Sequence, residues 1–321
     1  MLTNLMTVTP TPLELLLHPF DFYTIPLDLW ISTFVDYIVN NFRPIFQAIR
    51  LPINWTLEEI QLLFLAIPPL AFIVVLSLMV WQFVGGFVAI YSTISLILVG
   101  LIGLWEPAMV TLSLVLTAVL FCMVFGIPLG IACSKSDRLE SLVKPILDAM
   151  QTIPRFVYLV PVVMLFGIGA VPGTIATIII ALPPLVRLTN LGLRQVSADT
   201  VEAAKAFGST PFQILREVQM PLALPTILTG LNQTILFALA MSVLTAMIAA
   251  PGLGSIVLEG VGRLDVGQAA VGGLGIFLLA IMLDLITQTL GKNNLQVAWK
   301  KQGLIGLFFW GLQWSSTQRQ G

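Results

Sequence analysis

Long apolar runs, each interrupted by a proline or a small polar cluster, set the pattern of this 321-residue chain. Crossing a bilayer takes about 20 predominantly apolar residues, because backbone N–H and C=O groups in hydrocarbon must be satisfied within the helix. Seven runs qualify, some only with Pro or polar interruptions: residues 62–83, 87–104, 108–132, 153–169, 173–191, 222–249 and 267–290. Gly85-Gly86 predicts the tight turn between the first two. Ahead of them, Leu27, Trp30, Phe34, Ile38, Phe42, Ile45 and Ile49 recur at helical spacing, with Asp28, Asp36, Asn40, Arg43 and Gln47 on the other side. That predicts an amphipathic helix over 27–50, suited equally to the membrane interface and to packing on a bundle. Asn54 to Glu59 then reads as a capped lead-in to the first span, and residues 1–26 as an irregular, Pro-punctuated tail. Residues 251–265 are too short to cross and predict a short helix near the outer mouth. Residues 303–314, with Trp299, Trp310, Trp314 and the cations Lys300, Lys301 and Arg319, predict an interfacial anchor at the inner leaflet, a re-entrant segment being the alternative.

The longest polar passage between apolar runs is residues 199–225, DTVEAAKAFGSTPFQILREVQMPLALP. It reads as two short helices with a break. Asp199 is positioned to cap the first, with Glu202 completing a capping box, and Gly208 to stop it in the left-handed conformation. Thr210 restarts a helix as cap, with Pro211 at the first helical position and Gln213 three residues past the cap; Pro221 and Pro225 are expected to end that piece. An elbow of this kind in a polar loop is a shape for a partner to grip.

Charge fixes the expected orientation. Lys135, Arg138 and Lys144 share one loop, Arg187, Arg194, Lys205 and Arg216 surround the next on that side, and Lys292, Lys300 and Lys301 follow the last span. By the positive-inside rule these face the cytoplasm, which with seven spans leaves the N-terminal tail outside and the C-terminus inside. Glu106, Arg263 and Asp265 then fall outside. The composition agrees: 57% of residues are hydrophobic and 10% charged, against about 25% charged in soluble domains, and mean hydropathy is +0.98. This is an integral membrane protein. A net charge of −1 and a single histidine, His18, argue against nucleic acid as partner. Cys122 and Cys133, eleven positions apart in one run, are about 16 Å apart along a helix and cannot bridge. The first residues lack the charged start and apolar core of a cleaved signal. No phosphate-cradling G-x-x-x-x-G-K-[ST], H-E-x-x-H or Cys/His cluster occurs, so no catalytic, nucleotide-binding or metal-binding residue is expected in this chain.

Polar residues inside the runs need a reason, since a mid-bilayer carboxylate costs about 2.5 to 3.5 kcal/mol. Asp284 is the clearest case, read either as a carboxylate satisfied by a neighbouring helix or as part of a route. Asn232 and Gln233, followed by Thr234, are helix-bridging groups by default and pathway candidates otherwise. Gln151, Thr152 and Tyr158 flank the Pro154 and Pro161 interruptions and are the better pathway candidates, because broken helix at membrane depth is tolerated where it lines a cavity. Gly126, Gly130, Gly167 and Gly169 read as close-packing positions, and Met241 and Met247 as filler.

Glu202-Ala203-Ala204, Gly208 and, ten residues on, Val218-Gln219-Met220-Pro221 resemble the EAA-loop pattern of permease subunits in binding-protein-dependent ABC importers, with Val218 and Met220 in place of Ile and Leu. Residues 148–169 (DAMQTIPRFVYLVPVVMLFGIG), 181–189 (ALPPLVRLT), 230–234 (GLNQT) and 262–267 (GRLDVG) are similar to the glycine betaine/proline permeases. The resemblance covers roughly residues 105–288. Those permeases carry a small residue where Arg155 stands and often an Arg where Leu285 stands. The apolar runs and the charge distribution predict an all-α polytopic bundle of about seven transmembrane helices with an extracytoplasmic amphipathic segment at its N-terminus. Residues 1–60 are expected as that tail, 61–104 as two peripheral helices, 105–291 as the permease core with a cytoplasmic coupling loop at 198–221, and 292–321 as a cytoplasmic tail. The resemblance implies Glu202, Ala203, Ala204, Gly208 and Pro221 as the ATPase-coupling residues, and an osmoprotectant such as glycine betaine, proline betaine or choline as cargo. It also implies separate ATPase subunits that bind ATP and Mg, a separate extracytoplasmic binding protein, a permease homodimer and a bacterial inner-membrane location. A permease for another amino-acid-like solute, an ATP-independent secondary carrier and a membrane scaffold are the competing classes.

Overall fold

The computed structural model describes residues 26–292. The tail at 1–25, with His18, and the expected anchor at 303–314 lie outside the described residues. Every regular element among the described residues is helical.

The chain divides into two compact units, Met1–Pro44 and Ile45–Gly321. The described part of the first belongs to helix α1 (Leu27–Ala66), which continues across the division. In that part the expected apolar stripe is exposed at Leu27, Trp30, Phe34 and Phe42. Its polar side chains bond back to their own helix, Thr33 Oγ1 donating to the Leu29 carbonyl at 2.7 Å and Asn41 Nδ2 to the Tyr37 carbonyl at 2.8 Å. The amphipathic helix expected to stop at residue 50 therefore runs on to Ala66, and Asn54 and Thr56 lie inside it rather than capping a new one.

In the second unit the first expected span, 62–83, is broken. Helix α2 (Pro69–Phe83) starts one residue after Pro68 and bends by 107° from α1. Two successive prolines supply no N–H to the ladder and force the preceding residue into extended backbone, which a hydropathy run cannot reveal. The Gly85-Gly86 turn occurs as expected: Gly85 has φ 139° and α3 (Gly86–Leu101) returns beside α2. Ser77 and Thr93 join the pair through a 2.6 Å hydroxyl–hydroxyl bond. Below that bond Val80, Val84, Val88 and Ala89 pack together.

The long elements are α4 (Trp105–Lys135), α7 (Ala170–Arg194), α9 (Pro211–Ala246) and α11 (Val266–Lys292). Between α4 and α7 lie α5 (Asp137–Thr152), a 3-10 turn (Arg155–Tyr158) and α6 (Leu159–Phe166), and after α7 comes α8 (Ala198–Ala206). Helix α10 (Leu253–Gly262) is the short element expected before the last span, and its Leu253 N–H donates to Thr111 Oγ1 on α4 at 2.8 Å. Among the described residues four helices are long and apolar enough to cross a membrane, or up to six if each of two bent pairs is one span, rather than the seven expected. The shortfall comes from the break at Pro68, from the 105° bend between α5 and the segment Arg155–Phe166, and from α3. The 16 residues of α3 reach only about 24 Å at 1.5 Å per residue.

Glycine brings the central helices together. A β-carbon on Gly130 of α4 would lie 2.6 Å from Thr189 Cβ of α7, and one on Gly192 of α7 would lie 2.9 Å from Thr226 Cβ of α9. Gly167 and Gly169 are different from the expectation: a β-carbon on either would meet nothing within 4 Å, and they instead turn the chain between α6 and α7 at φ 86° and 116°. Around this centre Leu96, Met109, Leu239, Leu253, Leu279 and Met282 are fully buried.

Candidate functional site

The elbow forms, with two changes in detail. Ser197, not Asp199, caps α8: its hydroxyl accepts from the Thr200 N–H at 3.4 Å, leaving Asp199 in the first turn. The start is set two residues earlier because only Gln195 and Val196 separate the end of α7 from that cap. At the other end the Gly208 N–H donates to Lys205 O at 2.9 Å and the Ser209 N–H to Ala204 O at 3.1 Å. Together with φ +80° at Gly208, that pair of bonds is a Schellman closure, which a residue without a β-carbon accommodates freely.

The restart is as expected. Thr210 Oγ1 accepts from the Gln213 N–H at 3.3 Å while Gln213 Oε1 accepts from the Thr210 N–H at 2.8 Å, a reciprocal capping box with Pro211 at the first position. The continuation departs from the expectation. Pro221 and Pro225 do not end the helix; it widens into a π-helical stretch at Ile214–Gln219 and continues unbroken to Ala246. Pro221 has no N–H for the carbonyl four residues back, and a wider turn just before it accommodates that missing bond. The second arm of the elbow is therefore the end of a span.

On this elbow Phe207 is 90% exposed and Phe212 66%. Glu202, Ala203, Gly208 and Pro221 are also exposed, Ala204 is half-buried, and Ile214 is the buried anchor. Its base is fastened by a charge cluster that the sequence offered only as scattered loop cations. Arg194, the last residue of α7, pairs with Asp137 at 2.7 Å and Glu140 at 2.9 Å on α5, and also donates to the Cys133 carbonyl at 3.0 Å. Asn190 Nδ2 donates to Glu140 at 2.8 Å, and one turn further back Arg187 pairs with Asp148 at 2.6 Å. A half-exposed pair alone contributes only about 0.2–1 kcal/mol. The cluster's consequence is geometric, since it locks the helix that enters the elbow to its neighbour. The signal available was Asp137/Glu140 and Arg187/Arg194 at one-face helical spacings.

The broken hairpin is the second feature. Gln151 and Thr152 end α5 exposed, Thr152 Oγ1 donating to Asp148 O at 2.7 Å, and Tyr158 OH reaches back across the break to Ala149 O at 3.2 Å. Gln233 is exposed on α9. Asn232 points elsewhere, which separates it from the other pathway candidates. Buried, it donates to Asp284 Oδ1 at 2.8 Å and accepts from Thr287 Oγ1 at 2.7 Å, joining α9 to α11. Gln288 Nε2 completes the carboxylate's partners at 2.8 and 2.9 Å. Asp284 is thus held by neutral donors, and Asn232 and Gln288 line a cavity of about 380 Å³ between the two helices.

Residues 126–294 match the family described as "Binding-protein-dependent transport system inner membrane component". The chain is 51% identical over 308 residues to the glycine betaine/proline betaine transport system permease protein ProW of Escherichia coli (strain K12), covering 94% of this chain and 87% of that one. It is 42% identical over 279 residues to the glycine betaine transport system permease protein OpuAB of Bacillus subtilis (strain 168), covering 87% and 97%. A solved inward-facing structure of the MetNI methionine ABC transporter shares the fold with a TM-score of 0.53 at 24% identity, over 61% of this chain and 95% of that one. Spans, elbow and relatives converge: the chain belongs to the family of binding-protein-dependent transport system inner membrane components, as a multi-pass inner-membrane permease subunit of an ABC importer.

Proposed function

We propose that this permease moves glycine betaine, proline betaine or a choline-type osmoprotectant into the cell, driven by ATP that separate ABC ATPase subunits bind with Mg and hydrolyse. The cargo reading rests on relatives named for glycine betaine and proline betaine. The observation that carries the mechanism is the elbow with Phe207 and Phe212 exposed at its tip. Large apolar side chains displayed on a polar turn mark a surface that a partner covers.

In this reading the elbow is cytoplasmic, the N-terminal tail outside and the C-terminus inside, following the distribution of Lys and Arg. Glu202, Ala203, Ala204 and Gly208 shape the docked arm, and Pro221 marks where it joins the span. Helix α9 has 36 residues in one piece, about 54 Å long, so a shift imposed at Pro211 by closure of the ATPase tilts the whole span. Transport requires that the docked contacts differ between inward- and outward-open states. Gln151, Thr152, Tyr158 and Gln233 line the route, while Asn232 carries the movement of α9 to α11. A second copy of the permease completes the route, and an extracytoplasmic binding protein delivers the solute.

Reconstitution in proteoliposomes tests this. Uptake of glycine betaine is expected to require ATP, the ATPase subunits and the binding protein together. Ion-gradient-driven uptake by the chain alone would establish a secondary carrier instead.

A further inference from the structure

Arg155 lies in the four-residue 3-10 turn between α5 and α6, and its guanidinium sits over the ring of Phe237 on α9, 4.8 Å from the centroid. Contacts closer than about 6 Å are within cation–π range. Arg155 takes part in none of the ion pairs found among the described residues, and the acid of α5 that lies next to it along the sequence, Asp148, is paired with Arg187. A ring thus holds this cation without a carboxylate, and another cation can replace it on the ring without leaving an opposite charge unpaired. The ring face favours soft, weakly hydrated cations, a description that fits guanidinium and quaternary ammonium alike.

We propose that the face of Phe237 is a quaternary-ammonium contact on the translocation route, and that Arg155 is a resident cation covering it when no solute passes. The cargo class rests on the betaine reading above; the site itself is testable without transport. Its surroundings fit. Phe237 is one helical turn beyond the exposed Gln233, and Arg155 follows the exposed Gln151 and Thr152. Phe237 rides on the helix that is continuous with the elbow, whereas Arg155 rides on a separate, bent segment. A tilt of α9 therefore slides the ring from under the guanidinium and opens its face. One ring rather than a cage makes a weak contact, and a conducting route needs sites that release what they bind.

The test uses the purified permease–ATPase complex without binding protein, titrated calorimetrically with tetramethylammonium chloride against equal sodium chloride. Arg155→Gln removes the competing cation and is expected to tighten tetramethylammonium binding by about threefold or more. Phe237→Leu abolishes binding, Phe237→Trp preserves it, and the double variant behaves as Phe237→Leu alone. Unchanged binding in Phe237→Leu, or binding by Arg155→Gln no tighter than the parent, overturns the site; the second outcome stands even if Phe237→Leu fails to fold. Loss of glycine betaine uptake in the intact importer, with this binding pattern preserved, would strike the cargo reading and leave the site.

Discussion

Gly208→Val isolates the elbow from the rest of the fold. A β-carbon at Gly208 meets nothing within 4 Å, so the added β-carbon brings no clash and the substitution is felt first through φ +80°. Left-handed backbone costs an ordinary residue about 1–2 kcal/mol, more for a β-branched one. That lowers the population of the aligned elbow by roughly 5- to 30-fold, without touching the buried helices. Where the chain relaxes instead, the two bonds from Gly208 and Ser209 to Lys205 and Ala204 open and the Phe207 arm swings away from Phe212. In proteoliposomes bearing permease, ATPase and binding protein, the variant is expected in the membrane at the parent's level, with stimulation of ATP hydrolysis by loaded binding protein and solute uptake both down by about tenfold. Gly208→Asn, which tolerates the left-handed region, is expected to keep most of both. Parent-level stimulated transport by Gly208→Val would refute the reasoning.

Thr210→Ala removes one half of the capping box, costs about 1 kcal/mol locally, and is expected to speed amide exchange at Gln213 while leaving α7 unchanged. Gly130→Ala forces a β-carbon to within 2.6 Å of Thr189; overpacking of about 1–3 kcal/mol should lower the thermal midpoint in detergent. Asn232→Leu strips a buried donor from Asp284, a loss of about 1–3 kcal/mol, whereas Gln233→Leu on the exposed side should change stability by less than about 0.5 kcal/mol. The same thermal melts read both, and equal effects would mean that Asn232 does not join α9 to α11.

How much was legible depends on the range of each interaction. The elbow's turn and restart were readable because Gly208, Thr210, Pro211 and Gln213 act on neighbours within one helical turn. The cap was misplaced because Ser197 and Asp199 are both good caps, and the choice depends on where α7 ends. Residues 62–83 look like one span because hydropathy does not register the two N–H groups lost at Pro68 and Pro69. The prolines at 221 and 225 look like stops, yet a π turn absorbs the first, and nothing in the residue types announces it. Asn232 with Asp284, Arg194 with Asp137, and Arg155 with Phe237 are separated by 52, 57 and 82 positions along the chain. The sequence pattern singled out Asn232, Asp284, Arg194 and Arg155 but neither Asp137 nor Phe237, and only the fold pairs them.

The central claim is that the elbow is a cytoplasmic docking arm. Cys122 and Cys133 are both buried, so Phe207→Cys introduces one accessible thiol, and a bifunctional thiol-to-amine cross-linker added to inside-out vesicles reads what lies against it. A Phe207→Cys adduct with the ATPase subunit, together with no labelling of that thiol by an impermeant reagent from outside intact cells, is the predicted result. Labelling from outside, or no ATPase adduct in vesicles that transport, would contradict it.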